Sequence, residues 1–324
     1  MTGIFEKFNS LNILIIGDVM MDSYVWGKIE RVSPEAPVPV VQVTKKENRL
    51  GGAANVALNV QALGARPIIC AVIGDDPEGI DLLTLLNSSN LTPDGILTVK
   101  GRQTTVKTRI IAHNQHIVRV DAETNVTIPE ASNSLVKERI AEIISNQKID
   151  AIIFEDYDKG LISEDLITFV VGLANQKGII TVVDPKMRNF HFYKDVSLFK
   201  PNLKELREGL KIEIDPVSKT QIEAAVDLIK ARLNSKSVML TLSEHGVFIS
   251  STHNQKLIPA HIRTIADVSG AGDTVIATAA LCMASGLDEF TTAAIANLAG
   301  GLVCEHVGVV PIDKDRLLQE SLLL

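Results

Sequence analysis

A short apolar run that stops at a turn or acidic residue recurs along the chain, and this repeat restricts the fold more than any other feature. Residues 11–16 lead into Gly17-Asp18, residues 68–73 into Gly74-Asp75-Asp76, and residues 151–154 into Glu155-Asp156-Tyr157. Residues 179–183 lead into Asp184-Pro185-Lys186, and residues 238–242 into Ser243-Glu244-His245-Gly246. Runs that are apolar throughout, without alternation, suit strands buried on both faces of a parallel sheet. Helical stretches such as residues 164–176 lie between them, and β-α alternation of this kind implies an α/β fold with a mostly parallel central sheet flanked by helices. With 46% hydrophobic, 22% charged and only 4% aromatic residues, a core packed with Val, Ile, Leu and Ala is expected. At 324 residues the chain suits a single α/β domain, residues 1–324, carrying an insertion.

The insertion is expected in two pieces, residues 20–49 and 98–121. Pro34, Pro37 and Pro39 exclude helix from the first, and residues 38–43 read as an edge strand. In the second, Val106, Ile110, Ile117, Val118 and Val120 surround a polar His113-Asn114-Gln115-His116 turn able to close a hairpin. Together the pieces predict a small antiparallel sheet that serves as a lid, as a contact between two copies of the chain, or as both.

Several function classes are disfavoured. The longest apolar runs are strand-sized and broken by charges, so no membrane span is expected. Residues 1–12 carry Glu6 and Lys7 and lack the apolar stretch of a secretory signal, which points to the cytoplasm. A formal charge of −7 without a long basic run argues against nucleic acid. Cys70, Cys282 and Cys304 are unclustered and read as buried thiols; the seven histidines form no zinc pair on a helix. Neither the later glycines of a dinucleotide fingerprint after Gly17 nor any G-x-x-x-x-G-K-[ST] loop is present.

The chemistry concentrates in Asp267-Val268-Ser269-Gly270-Ala271-Gly272-Asp273-Thr274, between a polar, strand-like run and a long helix of small apolar residues. Glycines on either side of Ala271 let the backbone turn so that amide N–H groups of Gly270, Ala271 and Gly272 converge at a helix start, where the helix dipole also favours an anion. Asp273, in the first turn, is placed to accept a proton from an attacking hydroxyl; the alternative is a carboxylate that only complements the dipole. Gly51-Gly52 opens a second helix that carries Asn55 and stops near Gly64; the glycines either expose amides to a ligand or allow close packing. Asp18 and Asp22, at the carboxyl end of a strand, suit the hydroxyls of a polar ligand or are solvated loop residues. Asn202 and Glu205, three apart, either serve hydrated magnesium and phosphate-bound water or form a capping box.

The segments Gly51-Gly52-Ala53-Ala54-Asn55, Pro201-Asn202-Leu203-Lys204-Glu205 and Asp267 to Asp273 occur in an order and spacing that resemble the ribokinase-like (PfkB) sugar kinases along essentially the whole chain. Residues 17–22, Ser33-Pro34-Glu35-Ala36-Pro37-Val38-Pro39, Asp156-Tyr157-Asp158-Lys159-Gly160 and Asp184-Pro185-Lys186 are similar, more narrowly, to those members that phosphorylate D-glycero-β-D-manno-heptose 7-phosphate at its anomeric hydroxyl, on the route to ADP-heptose for lipopolysaccharide core. The resemblance implies a ribokinase-like fold, ATP and Mg2+, a homodimer formed through the lid, and an anion hole at residues 270–272 with Asp273 as base. It implies that Asn202 and Glu205 serve metal and phosphates through water, that Thr241 and Gly246 border the nucleotide, and that Asn297 lies near the adenine. Asp18, Asp22, Gly52, Asn55, Asp156 and Asp184 are then expected at the sugar, with Arg109, Lys159 and Lys186 as candidates for its phosphate. Relatives often carry a fused nucleotidyltransferase domain, and a chain ending at Leu324 would span the kinase half. Leu242 stands where relatives often have a basic residue, Ser269 where Thr is usual, and Val309-Val310 where hydroxyl residues bind a monovalent cation. Fructokinase or ribokinase specificity is the nearest rival within the fold; a non-catalytic sugar- or nucleotide-binding regulator is the rival outside enzymes.

Overall fold

A computed structural model describes residues 1–324 except 114, 253 and 262, so Asn114 of the expected hairpin turn lies outside the described residues. In chain order the elements are α1 (Thr2–Phe8), β1 (Asn12–Gly17), β2 (Val19–Val32), β3 (Pro39–Gly52), α2 (Ala53–Ala62), β4 (Arg66–Gly74), α3 (Pro77–Ser88), β5 (Ile96–Val99), β6 (Val106–Ala112) and β7 (Gln115–Ala122). They continue with α4 (Glu130–Asn146), β8 (Ala151–Glu155), α5 (Glu164–Lys177), β9 (Ile180–Asp184), β10 (Leu198–Phe199), α6 (Leu203–Leu210), α7 (Lys219–Leu233), β11 (Ser237–Thr241), β12 (Val247–Ser250), β13 (Gln255–Ile258), α8 (Ala271–Ala284), α9 (Glu289–Val303) and α10 (Lys314–Ser321).

The apolar runs become strands because their side chains have protein on both faces. Ile13, Leu14, Ile15 and Ile16 of β1 and Ile152, Ile153 and Phe154 of β8 have no solvent exposure. These strands belong to a nine-stranded sheet in the order β13-β12-β11-β10-β9-β8-β1-β4-β5. The pairings from β5 across to β11 are parallel, and β12 and β13 add an antiparallel edge. From β1 the chain builds first toward β5 and later toward β13, so the order reverses at β1/β8. Beyond the carboxyl ends of strands at such a reversal lies the usual ligand crevice of an open α/β sheet; Asp18 and Asp156 follow β1 and β8 there, and Asp184 is the last residue of β9. Helix α8 packs between α2 and α9, with Ala277, Ala279 and Ala280 fully buried at the close approach.

A second, four-stranded sheet has the order β3-β2-β6-β7. It departs from the expected antiparallel lid in one pairing: β2 runs parallel to β6, because α2, β4, α3 and β5 intervene before the chain returns. Its second piece also starts later than residue 98, since Ile96–Val99 pairs with β4 at the edge of the large sheet. Gly52, the last residue of β3, anchors this sheet to the large one. Its φ is +59°, and a Cβ there would sit 2.4 Å from the Asp18 carbonyl oxygen, which the Ala53 amide approaches to 3.0 Å. Close packing therefore requires this glycine. No strand occurs among the described residues from 259 to 270, contrary to the strand-like run expected before Asp267. All three cysteines are buried and free.

Candidate active site

Helix α8 starts at Gly270, whose φ of +80° is left-handed. A Cβ on Gly270 would lie 3.0 Å from Asn55 Nδ2, and one on Gly272 3.6 Å from Asp184 Oδ2, so both glycines keep side-chain atoms away from a narrow junction. The Ala271 amide closes a turn on the Val268 carbonyl at 3.3 Å, but the amides of Gly272 and Asp273 have no partner among the described residues. Two free donors at the positive end of a fourteen-residue helix make a cradle for an anion.

The Asp273 side chain, 5% exposed, reaches back into this junction. Asn55 Nδ2 donates to its Oδ2 at 2.6 Å and the Tyr157 hydroxyl donates to its Oδ1 at 2.9 Å. Burial pushes the Asp273 carboxyl up to about 6, with those two hydrogen bonds pulling the other way. Asn55 is itself fixed by the next turn of α2, where Asn59 Nδ2 donates to its carbonyl at 2.9 Å; Asn59 Oδ1 accepts from Thr274 Oγ1 and from the Ile312 amide. A base near 6 is ionised at neutral pH and still basic enough to take a proton in a transition state.

Beside the cradle lies a buried ionic group. Lys200 Nζ, 2.8 Å from Asp184 Oδ2, is 3% exposed and would stand 4.0 Å from a Cβ on Gly272. Burial, with the charges of Asp184 and Asp273, holds the Glu155 carboxyl well above its usual range, and its Oε2 has no partner among the described residues. Lys200 stays charged against its own burial because Asp184 and Glu205 stabilise the ammonium.

Asn202 and Glu205 take the capping alternative. The Glu205 amide donates to Asn202 Oδ1 at 2.8 Å, the Asn202 amide donates to Glu205 Oε2 at 2.9 Å, and Lys186 Nζ pairs with Glu205 Oε1. Both Glu205 oxygens therefore face nitrogen, and no group of three or more His, Cys, Asp or Glu able to hold a metal occurs among the described residues. The capping box and the Lys186 pair leave these two residues no place as direct magnesium ligands in this arrangement; service through water stays a proposal. Thr241 is bridged to Asn202. Gly246, at φ +92°, and Asn297, which donates to the Pro259 carbonyl at 2.9 Å, meet around Pro259, so the residues expected at the nucleotide fall into two neighbouring groups.

On the other side of Asp273, Asp18 sits under the turn after β8. Its Oδ2 accepts the amides of Tyr157 and Lys159 at 2.9 and 3.0 Å, while its Oδ1 is buried without a partner among the described residues. Burial and the nearby Asp156 charge raise its carboxyl to about 6. Asp156 itself turns away from the crevice: it accepts from the Asp158 amide, Asn189 Nδ2 and Tyr193 Oη at 2.8, 3.0 and 2.8 Å. That makes it a scaffold for the turn, not a ligand for sugar. Asp22 is paired with Arg109 on β6, and Arg109 lies over the Tyr24 ring at 5.4 Å. Lys159 pairs with Glu123 at 2.9 Å. Leu242 is buried, and the Ser269 hydroxyl donates to Asp267 at 2.9 Å, tying the loop before the cradle.

Tyr157, Lys200, Glu155, Arg102 and Lys107 were not singled out as functional from the sequence. For Lys200 one signal exists: a lone lysine at the end of an apolar strand, followed by Pro201, has to be paired when buried.

The model of the pfkB family carbohydrate kinases matches residues 10–315. The bifunctional protein HldE of Helicobacter pylori (strain P12) is 39% identical over 298 residues, covering 91% of this chain and 63% of its own. That of Pelobacter propionicus is 37% identical over 311 residues, covering 94% and 62%. The chain thus spans about three fifths of the length of these curated relatives. Among solved structures, phosphofructokinase-2 from Escherichia coli in complex with fructose-6-phosphate superposes with a TM-score of 0.78 at 18% identity, covering 97% of this chain and 99% of that one. Ribokinase of Arabidopsis thaliana complexed with ribose and ATP gives 0.72 at 16% identity, covering 96% and 98%. The fold is therefore ribokinase-like, and the chain belongs to the pfkB family of carbohydrate kinases.

Proposed function

We propose that this chain transfers the γ-phosphoryl group of ATP to the anomeric C1 hydroxyl of D-glycero-β-D-manno-heptose 7-phosphate, giving the 1,7-bisphosphate used for ADP-heptose and lipopolysaccharide core. The observation that carries the reading is the Asp273 carboxylate set beside the unpartnered amides of Gly272 and Asp273 at the start of α8. The HldE relatives and the motif at residues 33–39 favour the heptose substrate over other sugars.

Bound ATP would supply the phosphoryl group. Asp273 takes the proton of the attacking hydroxyl, Asn55 fixes the carboxylate's direction, and the α8 amides face the negative charge that builds on the transferred group. Asp18, with one unpartnered oxygen, accepts from a sugar hydroxyl. Magnesium, implied by the chemistry, fits as a companion of the nucleotide phosphates and not in a cage of protein ligands.

A panel of ATP consumption tests the reading. The expected kcat/KM for heptose 7-phosphate exceeds that for fructose, fructose 6-phosphate or ribose by about 10²-fold or more. A preference for ribose or fructose would replace the substrate assignment, and no turnover with any sugar would leave a binding regulator. Family membership supports the carbohydrate kinase class, and no helix among the described residues is long and apolar enough to cross a membrane.

The small sheet is proposed as the lid of this site and as the contact between two copies. Its face toward the crevice carries Asp22, Tyr24, Lys107 and Arg109, whereas Val118 and Val120, opposite Ile110 and Thr108 in register, are 47% and 53% exposed on the other face. An exposed apolar strip on a strand at a sheet edge calls for a partner. Sedimentation equilibrium at micromolar concentration should give twice the chain mass; the mass of one chain would sink the dimer.

A further inference from the structure

The cations around the crevice differ in what they already hold. Arg109 is paired with Asp22, Lys159 with Glu123, Lys186 with Glu205 and Lys200 with Asp184. Arg102 directs its guanidinium to the carbonyls of Lys159 and Val126. Lys107 alone, among these described residues, has neither an ion pair nor a hydrogen bond. It stands on the crevice face of β6, its Nζ 5.6 Å from the centre of the Tyr157 ring. Burial and the charge of Lys159 depress its pKa, although Glu123 and Asp121 lie close enough to oppose that. A half-buried ammonium without a partner is costly unless a ligand supplies the anion.

Two unpartnered acceptors lie in the same neighbourhood. Asp18 Oδ1 and Glu123 Oε2 are both buried without a hydrogen-bond donor among the described residues. They are linked through Lys159, whose amide donates to Asp18 at 3.0 Å and whose Nζ pairs with Glu123 at 2.9 Å. Tyr157 spans the group: its hydroxyl meets the base Asp273, its amide meets Asp18, and its ring lies under Lys107. Around Tyr157 the structure thus gathers a base for the reacting hydroxyl, acceptors for further hydroxyls and, among these described residues, an unpaired cation.

We infer that Lys107 binds the second anionic group of the substrate, the phosphate remote from the hydroxyl that is phosphorylated, and so sets the preference for a sugar phosphate over a neutral sugar. The assignment rests on the phosphosugar kinase reading above and revises it, since Arg109, Lys159 and Lys186 are occupied by carboxylates. Lys107 supplies one charge-assisted contact, with Arg102 and Lys159 adding to the positive field.

The test compares heptose 7-phosphate with the unphosphorylated heptose in the wild-type protein and in Lys107→Met, a change that keeps the length of the apolar stem. The ratio of the two kcat/KM values is expected to fall about 10- to 100-fold in the variant, mainly through KM for the phosphosugar. KM for ATP should stay within twofold, and Lys107→Arg should restore part of the ratio. A wild-type protein indifferent to the 7-phosphate overturns the substrate reading and this assignment with it. A wild-type protein that prefers the phosphosugar while Lys107→Met keeps the same preference overturns the assignment alone. Unfolding temperatures of both variants separate loss of fold from loss of recognition, and calorimetric titration with heptose 7-phosphate gives the same ratio without turnover.

Discussion

Asp273→Asn is expected to lower kcat by about 10²–10⁴-fold, the usual contribution of a general base, while KM for ATP changes little. The substitution keeps the shape of the side chain: the amide oxygen still accepts from Asn55 and its nitrogen turns toward the Tyr157 hydroxyl, which accepts as well as donates. The same change should make the protein more stable at neutral pH. Folding raises the Asp273 carboxyl from 3.8 to about 6. Its contribution to stability is therefore fully present below the unfolded value and is lost as pH rises through about 6. A rise of about two pH units corresponds to at most about 3 kcal/mol, which the neutral amide removes, so a Tm gain of a few degrees is expected near pH 8 and none near pH 4. Activity runs the opposite way, because a base must be ionised: kcat/KM should fall as pH drops through about 6. Asp18 is raised to a similar value, so the acid limb alone does not identify the base. Tyr157→Phe separates them. Among the described residues its hydroxyl bonds only to Asp273, whereas its contact with Asp18 is made by the backbone. Losing that donor should move the acid limb to higher pH; a limb that stays in place, or an Asp273→Asn protein with near-normal turnover, would remove Asp273 from the chemistry.

How much of this was legible beforehand depends on the range of the interactions. The alternation of apolar runs and helices specified the large sheet, because burial on both faces leaves its mark within each strand. Gly52 and Gly270 were legible as places where the backbone packs closely or turns sharply. The parallel pairing of β2 with β6 was not, since nothing local distinguishes a strand that turns back directly from one that returns after a long crossover. The short hairpin of β12 and β13 carried too few residues to show a period. At the site, Asp273 and Asn55 were picked out through motifs beside glycines, and the fold brings the two side chains into contact at 2.6 Å. Asp156 was misread because an aspartate after a strand looks the same whether it faces a ligand or ties its own turn to Asn189 and Tyr193. Lys107 and Tyr157 become informative only once the chain brings three separate segments together and shows which charges are already paired.

Lys200→Met should be the most destabilising substitution near the site, by about 3–5 kcal/mol, and it should also move the chemistry. The ammonium is buried beside Asp184 at 2.8 Å, where burial and the charges of Asp184 and Asp273 raise the Glu155 carboxyl and the Asp184 charge also raises Asp273. Taking away the cation leaves those acids facing each other in a place water does not reach. Lys186, which also senses Asp184 and Glu155, limits the loss because it remains as a second positive charge, although its own partner is Glu205. The remaining carboxylates would then favour protonation, so the deficit measured by denaturant should shrink as pH falls from 8 toward 5. Because Lys200 lowers the Asp273 pKa, the acid limb of kcat/KM should rise above about 6 in whatever fraction stays folded. Pairing Lys200→Met with Asp184→Asn should recover much of the stability, since a buried ion pair removed as a unit costs far less than one stripped of a single partner. A single variant losing under about 1 kcal/mol, with an unmoved pH limb, would mean that this ion pair neither holds the fold together nor tunes the base.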